Sequence, residues 1–346
     1  MSIKSFSYRL AQRLSVLLPS RSAFQVAEHL ADLQWRTSAK DRQAVQHNLS
    51  LILGTPIQAG SPLVREVFRN FGRYLVEFFS IHRVPHPAIT LEGFEHLTGA
   101  VRSRRGAIAM TAHFGNWELA AVMLRRHGMP ISAIALPHHD PGMDRLFTQQ
   151  RARCGIATIP LGADAARRGV RCLRDGGVLG VLADREFFGH GLTVSLCGQE
   201  VLFPRGPAIL SLRAQAPVVP VFLVREGPWA FRLCVEPPIW PTTMDGRLDR
   251  SIRRLTQAYA DVVARHLRRF PDQWLMFQPV TPQSTEHPPR RLRTAGRIGT
   301  EQILPVGAHP NALIKAPPWR GLAVPHVDAA ASTAGLRPLS KAWDHV

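Results

Sequence analysis

Residues Ala107–Leu119, which read AIAMTAHFGNWEL, decide how the rest of the chain is interpreted. The uninterrupted run Gly106–Ala112 reads as a buried strand and delivers His113 at its end. Gly115 and Asn116 make a turn, and the amphipathic stretch Trp117–Arg126 then reads as a helix with Glu118 in its first turn. In α/β proteins chemistry gathers where strands hand over to helices. A histidine able to take a proton, with a carboxylate able to orient it, supplies two parts of a general-base site.

Spacing alone does not single this pair out. With 15 His and 25 Asp plus Glu among 346 residues, chance supplies roughly one His-x4-acid pair. The chain holds two, His113…Glu118 and His139…Asp144. Context separates them: His139 lies in the proline-rich loop Pro137–Gly142, whereas His113 ends a strand.

Outward from this stretch, strand and helix signals alternate. Strands are expected at 131–136, 156–159, 178–183, 192–196, 218–224, 230–235 and 274–277, and helices at 116–126, 144–153, 163–174, 207–215 and 248–269. Before them, residues 23–36 read as a helix, 40–46 as a polar, basic connection, and Val64, Val67, Phe68, Phe71, Tyr74, Leu75 and Phe78 as one helical stripe. The pattern predicts a single α/β domain, with a central mixed or largely parallel sheet flanked by helices. Residues 1–36 form an N-terminal helical segment, 37–280 the catalytic domain, and the Pro-, Ala- and Arg-rich residues 281–346 a disordered tail.

The net charge of +18 favours anionic partners such as acidic lipid surfaces, an acidic carrier protein or a nucleic acid. No recognisable nucleic-acid-binding motif accompanies it, so nucleic acid is not an expected partner. The four cysteines form no CxxC pair and no metal-ligand cluster, which fits a reducing compartment and predicts no metal or other cofactor. No apolar run approaches the roughly 18 residues needed to span a bilayer. Instead Ile3, Phe6, Leu10, Leu14 and Leu17 recur at helical spacing, with Lys4, Arg9 and Arg13 off the stripe. That is the pattern of a basic amphipathic helix lying in a membrane interface, or of a helix packed on the protein's own core.

The block His113-Phe114-Gly115-Asn116-Trp117-Glu118 closely resembles the His-x4-Asp/Glu block of the lysophospholipid acyltransferase superfamily. More narrowly it is similar to the branch holding the late lipid A biosynthesis acyltransferases and the phosphatidylinositol mannoside acyltransferases. Asp144 and Arg151, seven residues apart, resemble a further family segment, as do GVLADR at 180–185 followed by Gly191. Pro204–Pro207, Val219-Pro220-Val221 and the Pro-x-Gln-Trp signature at 271–274 extend the likeness over roughly residues 5–280.

The resemblance implies a glycerolipid-acyltransferase-like fold and an enzyme on the cytoplasmic face of the bacterial inner membrane, peripheral or monotopic. Such an enzyme moves a fatty acyl group from an acyl carrier protein or coenzyme A thioester to a hydroxyl of a lipid A precursor or related glycolipid. His113 is then the general base and Glu118 the carboxylate that fixes its tautomer. Arg151, Asp184, Arg185, Asn116 and Asp144 are the expected substrate-binding residues, and amides near Gly115 together with Arg151 the candidate oxyanion donors. The chain has no GxSxG elbow, consistent with a nucleophile supplied by the substrate. The same residues acting on water would make a thioesterase instead.

Overall fold

The segment carrying His113 forms the middle of a seven-stranded sheet. The computed structural model describes residues 3–83, 87–187, 189–243 and 247–280. The expected tail at 281–346 lies outside the described residues.

The sheet comprises β1 (Ala88–Glu92), β2 (Ala107–Thr111), β3 (Ile131–Ala135), β4 (Ala157–Pro160), β5 (Val178–Leu182), β8 (Val218–Gly227) and β9 (Ala230–Val235), in the order β1-β9-β8-β2-β5-β3-β4. All neighbours are parallel except β8 and β9. The remaining strands, β6 (Leu192–Leu196) and β7 (Gln199–Phe203), make a separate antiparallel hairpin. β2 as far as Met110 and the whole of β5 are apolar because both faces are covered.

Alternation along β2 sends Ile108 and Met110 into one core and Ala107 and Ala109 into the other. The first core is closed by α3 (Ala39–Leu53), α4 (Pro62–Ser80), α9 (Gly206–Ala214) and α10 (Leu248–Arg269). The second is closed by α5 (Phe94–Arg102) and α6 (Trp117–Arg126). Two further helices, α7 (Pro141–Arg153) and α8 (Ala165–Arg174), link the parallel strands. An N-terminal pair, α1 (Ile3–Leu17) and α2 (Ser20–Thr37), packs on α4.

Two readings of the sequence change. Residues 40–46 lie within α3, because Val45, Leu49 and Ile52 give it a buried face. Ser38 caps its start and the left-handed Gly54 ends it. Residues 274–277 form no strand. Trp274 makes one bridge to Phe114, and the carbonyls of Met276 and Gln278 accept hydrogen bonds from the Asn48 side chain instead of a neighbouring strand. β1, β7 and α5 are additions to the expected set.

Candidate active site

The register of two central strands builds the site. β2 and β5 run parallel with Thr111 opposite Leu182. Two residues further, at the carboxyl ends of both strands, His113 and Asp184 emerge side by side. The His113 Nδ1 lies 2.9 Å from Asp184 Oδ1, and the His113 backbone N–H donates to Oδ2 at 2.9 Å. The Trp274 indole N–H also donates to Oδ2, again at 2.9 Å. Asp184 is 1% exposed. Burial alone would raise its pKa, but the His113 charge and these hydrogen bonds together hold the carboxyl below its ordinary value.

An ionised Asp184 accepts from Nδ1–H, which leaves Nε2 as the ring's basic nitrogen. Among the described residues nothing hydrogen-bonds Nε2, and the His113 side chain is 22% exposed. The Trp117 ring meets the imidazole edge-on with centroids 5.2 Å apart, and Tyr74 stacks on Trp117 at 4.4 Å. One side of the base is thus an aromatic wall.

The turn after His113 is held by backbone approach. Gly115 has φ +56, and a Cβ there would sit 1.9 Å from the Leu223 carbonyl oxygen. Its N–H donates to the Gln273 carbonyl at 2.8 Å, while the His113 carbonyl accepts from Leu275 N–H at 2.7 Å. Asn116 then caps α6 by accepting from Leu119 N–H and donates to buried Glu77.

The expected site residues therefore divide. The carboxylate on His113 is Asp184, which the sequence reading had placed among the substrate-binding groups. Glu118, expected there, is 5% exposed and paired with Arg151, whose Nε lies 3.0 and 3.1 Å from its two carboxylate oxygens. Five residues of helix-starting chain turn Glu118 away from the ring and towards α7. The Gly115 amide is likewise engaged by Gln273, and the Arg151 fork by Glu118, so neither is free to face an oxyanion in this arrangement.

Asn116 is fully buried in its capping role. Asp144 accepts from the backbone N–H of His138 at 3.0 Å, a contact to the residue before the second His-x4-acid pair's histidine. Arg185 follows Asp184, lies over Phe187 at 4.6 Å, and has a buried Nε without a hydrogen-bond partner among the described residues. Burial lowers its pKa, against the opposing pull of Asp184. Trp274 and Gln273 were not foreseen as site residues. The Gln273 side chain both accepts from Arg225 N–H and donates to Arg225 C=O, clamping the end of β8 beside the site. A recess of about 330 Å³ lies behind that clamp, lined in part by Asn70, Arg73, Arg225 and Asp272. Among the described residues no cluster of His, Cys, Asp or Glu could hold a metal ion.

A family model for bacterial lipid A biosynthesis acyltransferases matches residues 4–280, which takes in every element described above but for the first residue of α1. The chain belongs to this family. Among curated relatives, a phosphatidylinositol mannoside acyltransferase of Mycobacterium tuberculosis (strain CDC 1551 / Oshkosh) is 29% identical over 249 residues, covering 68% of this chain and 76% of the relative. Another with the same name, from Mycolicibacterium smegmatis, is 27% identical over 246 residues, covering 68% and 78%. The protein is an acyl-transferring enzyme of the lipid A and phosphatidylinositol mannoside type.

Proposed function

We propose that this acyltransferase moves a fatty acyl group from a thioester donor, acyl carrier protein or coenzyme A, to a hydroxyl of a membrane glycolipid such as a lipid A precursor. The observation that carries the mechanism is the hydrogen bond between His113 Nδ1 and buried Asp184. An alcohol is a poor nucleophile at neutral pH, so a base must take its proton as the new C–O bond forms. His113 Nε2 removes that proton, the hydroxyl oxygen attacks the thioester carbonyl, and the tetrahedral intermediate expels the thiolate. The imidazolium returns its proton to the leaving sulfur. Asp184 holds the tautomer and stabilises the imidazolium without itself accepting the proton.

The purified enzyme, an acyl thioester and a glycolipid acceptor test this. His113→Ala should abolish ester formation, and Asp184→Asn should lower kcat by about 10⁴-fold, as loss of the tautomer-setting carboxylate does elsewhere. Full turnover in either variant would sink the assignment. Release of free fatty acid at the same rate with and without acceptor would make the enzyme a thioesterase instead.

The reading extends to a membrane surface. Among the described residues no helix is long and apolar enough to cross a bilayer. The two N-terminal helices nevertheless carry exposed leucines, with Leu10 at 45%, Leu17 at 76%, Leu30 at 54% and Leu33 at 56%. We read this face as the part of the enzyme that rests in the interface, the peripheral arrangement expected for a catalyst of lipid substrates.

A further inference from the structure

A second recess, about 220 Å³ in volume, opens between α1 and α7, away from His113. Arg9, Gln12 and Arg13 line it from α1, and Arg145 and Gln149 from α7. No carboxylate is among its lining residues, and among the described residues none of the three arginines forms an ion pair. Arg9 and Arg13 stand four residues apart on one helix, where like charges repel, and Arg145 faces them across the gap. Three cations directed into one hollow are relieved by an anion. Guanidinium forks match phosphate oxygens in bidentate fashion, better than they match a point charge.

The helix N-terminus of α7 does not contribute: its first amides, Gly142 and Met143, already donate to Asp140 Oδ1. The attraction rests on the arginines. Their setting indicates the source of the phosphate. Leu10 and Leu17, exposed on α1, lie beside Arg9 and Arg13, so an apolar stripe is bordered by cations as at a headgroup boundary. Tyr8 fixes the position of α1 by packing on Phe147 of α7 with centroids 6.0 Å apart.

We propose that the α1–α7 recess binds the phosphate of a membrane-lipid headgroup and so sets how the enzyme seats on the bilayer, an inference that rests on the membrane reading above. α7 anchors this contact to the body of the enzyme, since its inner face places Gln150 on the Phe78 carbonyl of α4 at 2.7 Å and Arg151 on Glu118 of α6.

Full-length enzyme is sedimented with phosphatidylcholine vesicles containing either phosphatidic acid or oleate at matched surface charge. The triple variant Arg9→Gln, Arg13→Gln, Arg145→Gln is compared with an equally charge-depleted control on α8, Arg168→Gln, Arg171→Gln, Arg174→Gln. All six residues are exposed, so both proteins should fold. The recess variant should lose on the order of a hundredfold in affinity for phosphatidic acid vesicles, and much less for oleate vesicles. It should keep turnover on a detergent-dispersed acceptor.

Equal losses in the two triple variants would reduce the effect to diffuse charge and overturn the proposal. Saturation of the recess by micromolar inorganic phosphate would assign it to a free anion. Retained vesicle binding with lost acyl-carrier-protein binding would assign it to a protein. Wild-type enzyme that binds no vesicle at all would remove the membrane reading itself, while the His113 chemistry would still stand on its own assay.

Discussion

At the scale of single residues, the hydrogen bond from Trp274 to Asp184 makes the indole a positioning group for the base. Asp184 uses one oxygen for the imidazole and the other for two N–H donors, so the carboxylate cannot rotate away from the ring. Trp274→Phe keeps the aromatic bulk and removes one donor to a charged acceptor, a bond worth about 1.5–3 kcal/mol. The expected result is a kcat lower by roughly 10- to 100-fold with KM little changed. The profile should also move. Asp184 is held below the ordinary carboxylate range partly by Trp274, so without the indole it would protonate at higher pH and the acidic limb of kcat should shift upward. A purely structural tryptophan would lower the amount of active enzyme without shifting that limb. The pair itself was half legible. Residues 106–113, GAIAMTAH, and 177–184, GVLGVLAD, both run from glycine through an apolar strand to a polar residue. Read as adjacent parallel strands in that register, they place His113 opposite Asp184. Proximity in sequence favoured Glu118 instead, because the strand pairing that decides between the two carboxylates is non-local.

At the scale of elements, Glu77 ties three segments together. It is fully buried on α4, receives both terminal nitrogens of Arg225 from β8, and accepts from the Asn116 side chain that caps α6. Replacing it with Ala leaves Arg225, 9% exposed, buried with nothing to neutralise it. Loss of one partner of such a pair costs about 3–5 kcal/mol, against well under 1 kcal/mol for exposed pairs such as Arg167–Asp164. Chemical denaturation should therefore show a large fall in midpoint for Glu77→Ala and almost none for Asp164→Ala. A small change for Glu77→Ala would mean that the pair does not organise the α4–β8–α6 junction. Gly115→Ala belongs to the same junction. Its Cβ would collide with the Leu223 carbonyl while φ stays positive, so that protein should accumulate poorly or melt several degrees lower. The regular elements were legible from periodicity: α10 at 248–269, β6 at 192–196 and β9 at 230–235 match their expected bounds. Besides the local β7 and α5, what periodicity missed were segments whose partners are distant. β1, with four of its five residues exposed, lies on the sheet edge, and the 274–277 segment is fixed by Asn48 from more than 200 residues away.

At the scale of the whole molecule, α2 is partly inverted for a helix in water. Its two acidic residues face inward, where Asp32 bonds to Arg65 and Arg69 and Glu28 to Arg73 of α4, while Val26, Leu30 and Leu33 face outward beside the exposed Arg21 and Arg36. An aqueous surface would favour the opposite distribution, since each leucine removed from water stabilises by about 1.5–3 kcal/mol. The inverted pattern is consistent with an apolar environment on the outer side, and α1 continues it through Leu10 and Leu17. The amphipathic stripe was visible in the sequence, but its direction was not, because periodicity gives a face without saying whether it meets core or lipid. Leu17→Gln, Leu30→Gln and Leu33→Gln should together lower partitioning onto mixed phosphatidylcholine and phosphatidylglycerol vesicles by at least about a hundredfold. They should leave thermal stability unchanged or slightly improved, since no core contact is lost. Salt separates this contribution from that of the arginines: raising ionic strength to about 1 M contracts the screening length to roughly 3 Å and removes most of the charge-driven binding. The residual binding that persists at high salt should be the part these three substitutions abolish. If the variant sediments as the parent does at every salt concentration, the outward leucines do not meet the bilayer, and their exposure needs a protein partner to explain it.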